Sequence, residues 1–146
     1  MTEITSSDMS AAHAAFARIG SGSFRTEIEV RPHIVLADEP SDDGDSQAGP
    51  TPFGLLYSAL LSCMLITVRM YATRKEWPLD GAEMKIFPTR RNAAAPLESA
   101  RIEVRFLGSL DQPQLERLTE IAGKCPIHKT LAGSVDIEVI RVDGTV

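Results

Sequence analysis

The sequence predicts an α+β fold built mainly from antiparallel sheet, and three observations support this. One long apolar run, Thr51 to Lys75, carries no charge between Phe53 and Val68. Segments that alternate apolar and polar residues, the period of a half-buried strand, stand before and after that run. They do not alternate with helices, so mainly antiparallel sheet is expected in place of βαβ units. The expected order is β-β-β-α-β-β-α-β, in a single domain spanning residues 1–146.

The apolar run is the centre of the prediction. A surface helix shows one polar stripe, whereas this one is apolar on every face, so it should be buried. Pro50 and Pro52 set its start, Pro52 being well tolerated in a first turn. Arg69, Arg74 and Lys75 return the chain to water with the charge that suits a helix C-terminus. A membrane span needs roughly 18 to 20 apolar residues. Ser58, Ser62, Thr67 and Arg69 interrupt this run, which favours a core helix. It is wider than one small domain can bury, so a second subunit is expected to cover part of it.

Before that helix, residues 1–11 are small and polar and are expected to be loose. Ala14 to Ile19 reads as a strand, followed by a turn at Gly20-Ser21-Gly22. Phe24, Thr26, Ile28 and Val30 alternate with charged residues as a second strand, which Pro32 ends. His33 to Asp38 reads as a short buried strand. Glu39 to Gly49 is an acidic loop; it lacks the spacing and closing glutamate of a calcium-binding loop.

After the helix, Trp77 to Gly81 is a connection and Ala82 to Phe87 a strand. Residues 90–98 form a polar turn, and Arg101 to Leu107 returns with Ile102, Val104 and Phe106 inward. Asp111 with Gln114 forms a capping-box pattern for a second helix, which Gly123 ends. Pro126 suits the first position of a further short helix with Cys125 as its N-cap. Ser134 to Val142 is expected to close the chain as an alternating strand.

Composition narrows the function. The chain has 146 residues, of which 24% are charged, and a net charge of −5. Nucleic acids and anionic membranes require a basic footprint, so neither is expected as a partner. No basic, apolar leader opens the chain, and cytoplasmic residence is the expectation. Two cysteines there are more readily free or redox-active thiols than a structural staple.

Each cysteine has two readings. Cys63 in mid-helix is either a small buried hydrophobe or a nucleophile, and the second requires a nearby cation because only the thiolate attacks. Cys125 is either an indifferent N-cap or a thiol whose anion is favoured by the helix N-terminus. Cys125 and His128 could form half of a zinc site, but no second close pair of ligands accompanies them. His33 reads as a core histidine and His13 as a surface one.

The segment TPFGLLYSALLSCMLITVRMYATRKEWPL, with Pro52, Leu55 and Cys63, resembles the central-helix signature of the OsmC/Ohr family, the osmotically inducible and organic hydroperoxide resistance proteins. CPIHKTL, from Cys125 to Leu131, is similar to that family's second motif. HIVLADEP, from His33 to Pro40, resembles the start of its OsmC-like redox-protein subgroup. The resemblance runs from about Phe16 to Val139. It implies an intertwined homodimer with the long helices at its centre. The implied activity is a thiol peroxidase, active in oxidative stress, that reduces organic hydroperoxides without a cofactor or metal. Cys63 would be the peroxidatic thiolate and Cys125 the resolving thiol. A dithiol reductant of lipoyl or thioredoxin type would restore both.

An N-terminal arginine, Arg18 or Arg25, would assist the thiolate. Phe53 stands where the family's peroxidases carry a glutamate, so the carboxylate that orients this arginine is missing at its usual place. The rival expectation is a non-catalytic protein that binds a small apolar ligand in the interface pocket.

Overall fold

The computed structural model describes residues 13–40 and 47–144. The expectations for residues 1–11 and for most of the acidic loop, 41–46, therefore lie outside the described residues. The elements run β1 (Phe16–Ile19), β2 (Thr26–Val30), β3 (His33–Ala37), α1 (Pro52–Arg74), β4 (Leu79–Thr89), β5 (Ser99–Gly108), α2 (Gln112–Ala122) and α3 (Pro126–Ala132). This is the predicted α+β class with antiparallel sheet. The chain separates into two compact units, one ending at Leu56 and the other starting at Tyr57.

In the first unit β1, β2 and β3 form an antiparallel meander, with Ile28 opposite Ala17 on one side and Val35 on the other. Pro32 separates β2 from β3 through a cis Arg31–Pro32 bond. Two expectations are corrected here. β3 is half-buried at Val35 and Leu36 and buried only at Ala37; Ile34 is exposed, and so is His33 where it pairs with Val30. A three-stranded sheet covers only part of its own surface, and periodicity alone does not reveal which part.

In the second unit α1 buries Leu60, Met64, Val68 and Ala72, one residue per turn along a single stripe. The Thr51 hydroxyl accepts from the Gly54 N–H at 3.0 Å and caps the helix, with Pro52 in the first turn. The β4–β5 hairpin places Met84 opposite Val104 and Ile86 opposite Ile102, and Met84, Ile86 and Ile102 pack against that core. At Gly108, φ is +136° and a Cβ would run into the Pro78 carbonyl. A glycine is thus required where β5 passes the start of β4.

The helix caps follow the sequence. Asp111 accepts from the Gln114 N–H at 2.8 Å, and the Gln114 side chain accepts from the Asp111 N–H at 3.0 Å, a complete capping box. Gly123 caps the end of α2, and Leu118, Ile121 and Ala122 are its buried residues.

Two differences from expectation share one cause. The segment 134–142 forms no strand; Ile137 and Val139 are 82% and 91% exposed. The central helix is not covered all round either, for Ile66 and Met70 are 58% and 65% exposed. An alternating pattern becomes a strand only where a sheet edge receives it, and a helix is buried only where something lies against it. The pattern shows the need for a partner, not its presence. By length and composition α1 could also cross a membrane, yet its buried stripe is a core contact.

Candidate thiol site

Cys63 occupies the middle of α1, one residue before the buried Met64, and is half-buried. Cys125 is wholly buried and belongs to the core cluster of Leu60, Met64, Val68, Ala72, Leu79, Leu118 and Ala122, against which Cys63 also packs. The two side chains interact directly, and both are free thiols. The sequence places them sixty-two positions apart; the packing of α2 and the turn before α3 against α1 brings them together.

Cys125 sits where the sequence put it, at the N-cap of α3, with extended backbone (φ −69°, ψ 149°) and Pro126 as the next residue. Its Sγ accepts from the His128 N–H at 3.2 Å. Of the two readings of Cys125, the electrostatics do not favour the anion. Burial pushes the Cys125 thiol above its ordinary pKa; the backbone hydrogen bonds from His128 and Ile127 oppose this, and interaction with Cys63 adds to it. A seven-residue helix offers a weak field, and loss of water at a wholly buried sulfur outweighs it. Cys125 therefore keeps its proton and can donate it.

Arg18 and Arg25 lie in the first unit. Arg18 is joined to Glu27 at 2.6 Å across the β1–β2 ladder. Arg25 stands in the turn before β2 and shares a recess of about 260 Å³ with Arg18, Ile19, Gly20 and Glu27. Among the described residues its guanidinium makes no ion pair or hydrogen bond.

Phe53 lies in the first turn of α1. Among the described residues no group of three or more His, Cys, Asp and Glu side chains could hold a metal ion. His128 meets Cys125 through its backbone N–H. His13 is exposed, as expected.

One local arrangement was not anticipated. Arg117 of α2 donates from Nε to the Tyr71 hydroxyl at 3.1 Å, and Tyr71 meets the Trp77 ring edge-on at 5.5 Å. Tyr71 precedes Arg74 and Lys75 at the basic end of α1, the only hint in the sequence. Arg117, forty-six positions away, could not be assigned to it.

Comparison with known proteins supports the fold. The chain resembles an OsmC-like protein from Mycoplasma pneumoniae at 18% identity and a TM-score of 0.71, covering 86% of this chain and 90% of that one. The organic hydroperoxide resistance protein OhrB of Bacillus subtilis is similar at 19% identity and a TM-score of 0.60, covering 84% and 91%. An organic hydroperoxide resistance protein OsmC from Legionella pneumophila is similar at 20% identity and 0.56, covering 86% and 94%. No curated protein matches the chain. The OsmC-like protein family model matches residues 41–140, from the acidic loop to the tail beyond α3, and so includes both cysteines. The chain belongs to the OsmC-like protein family.

Proposed function

We propose that the protein is a thiol peroxidase that reduces organic hydroperoxides. The observation that carries this reading is the direct interaction of a half-buried Cys63 with a wholly buried, protonated Cys125. Two similar proteins are named for organic hydroperoxide resistance, which supports the choice of substrate.

In the first step the Cys63 thiolate attacks one peroxide oxygen and the O–O bond breaks. That oxygen stays on sulfur as a sulfenic acid, and the other leaves as an alkoxide that takes up a proton to become the alcohol. Cys63 loses two electrons and the peroxide gains them. The Cys125 sulfur then attacks the Cys63 sulfur. The S–S bond forms, and the hydroxyl leaves with the Cys125 proton as water. A dithiol reductant, lipoyl or thioredoxin in type, restores both thiols by exchange and departs as its own disulfide. In this reading an N-terminal arginine, Arg18 or Arg25, supplies the charge that assists the thiolate.

The working form in this reading is a cytoplasmic homodimer. A second copy would cover the exposed Ile66 and Met70 and give the 134–142 segment a sheet edge. A second reading, a binding protein without turnover, draws on a groove of about 300 Å³. Leu65, Ile66, Met70, Leu79 and Ala82 line it, with the Arg69 guanidinium at its side.

The deciding experiment treats the reduced protein with an alkyl hydroperoxide and counts thiols. Both thiols of the chain should be consumed. Cys63→Ser should abolish the consumption, and Cys125→Ser should leave a sulfenic acid that dimedone traps. Turnover by Cys63→Ser at the parent rate would refute the reading, and binding of the peroxide without thiol loss would favour the groove.

A further inference from the structure

Three cations gather around one phenol at the end of α1. Arg74 stands 5.8 Å from the centre of the Tyr71 ring, Lys75 5.7 Å and Arg117 5.5 Å. Arg117 is held by its hydrogen bond to the Tyr71 hydroxyl at 3.1 Å and by Glu120 at 2.9 Å. Among the described residues, Arg74 and Lys75 make no ion pair and no side-chain hydrogen bond. Among the described residues Glu120 is thus the one carboxylate that pairs with any of the three cations, in a chain whose net charge is −5.

The C-terminal dipole of α1 accounts for Arg74 on its last turn and Lys75 just beyond it. It does not account for Arg117, which comes from α2 and turns toward the same ring. We propose that Tyr71, Arg74, Lys75 and Arg117 form a binding site for a phosphate-type dianion, free or as the head of a small phosphate monoester. Two guanidinium groups offer paired N–H donors that match phosphate oxygens, and the ammonium adds a mobile point charge. Arg74 and Lys75, which make no ion pair among the described residues, offer two cations to a dianion. The three cations converge on a single ring instead of spreading over a face, which suits a compact anion better than an acidic protein surface.

The phenol already reports the field of this site. The Arg117 hydrogen bond lowers the Tyr71 pKa from its ordinary value, against opposing desolvation, and the charges of Arg117, Lys75 and Arg74 lower it further. An anion bound among them would cancel that help and move the Tyr71 titration to higher pH. Trp77, the chain's one tryptophan, touches the Tyr71 edge and gives a second signal.

The test titrates the reduced full-length protein with inorganic phosphate and with glycerol phosphate, holding ionic strength constant with chloride. Phenolate absorbance, with the Tyr71→Phe spectrum subtracted, and Trp77 fluorescence are followed. A saturable upward shift of the Tyr71 titration and a saturable fluorescence change are expected. An Arg74→Gln/Lys75→Gln double variant should bind about tenfold more weakly or worse, since it loses charge-assisted contacts. Both positions are exposed, Arg74 on the last turn of α1 and Lys75 just after it, and circular dichroism checks that the helix is retained. Tyr71→Phe should still bind phosphate by fluorescence, because the cations remain. Two results would overturn the site: a response to both phosphates no different from chloride, or equal binding by the double variant. Binding confined to an oligoglutamate peptide would overturn it in favour of a protein-docking surface.

Discussion

The Cys63 and Cys125 side chains interact in the core of the second unit, one half-buried and the other wholly buried. That asymmetry distinguishes their chemistry. Cys63 keeps part of its surface open to solvent, whereas Cys125 is sealed among Leu60, Met64 and Leu118 with its proton retained.

The retained proton makes stability depend on alkaline pH. The unfolded chain releases a cysteine proton near the ordinary value of about 8.5, whereas folded Cys125 holds it to higher pH. Its contribution is fully present below about 8.5 and is lost as pH rises through the folded value. Urea midpoints of the reduced protein should fall across that window, and Cys125→Ala should flatten this part of the fall. Iodoacetamide labelling of Cys125 should stay slow at neutral pH.

Cys125→Ala should also destabilise the reduced protein at pH 7 by about 1–2 kcal/mol. It removes the sulfur that caps α3 and leaves a small void in the core. Urea unfolding at neutral pH measures this. Leu118→Ala, at a fully buried side chain in the same cluster, should cost more, about 2–5 kcal/mol.

The exposed apolar side chains predict the assembly. Sedimentation should find the parent as a dimer. An Ile66→Glu/Met70→Glu variant, which puts charge on an exposed part of α1, should shift it toward monomer while the helix signal is retained. A parent that sediments as a monomer at micromolar concentration would rule out the dimer.

What the sequence settled was local. Thr51 to Lys75 had to be a helix because nothing in it breaks one. The Asp111–Gln114 box and the Cys125–Pro126 start are contacts between near neighbours, so their residue types alone specify them. The β4–β5 pairing was legible for the same reason, as alternation on both sides of a polar turn.

Tertiary structure decided the rest. It chose which stripe of α1 is covered, left 134–142 without a strand partner, and brought Arg117 to Tyr71. It also decided between the two readings of Cys125, because burial depends on what surrounds a sulfur and no spacing encodes that. Periodicity and capping act over a few residues, so the chain states them outright. Burial and charge at a site are summed over distant residues, and they exist only once the fold has brought those residues together.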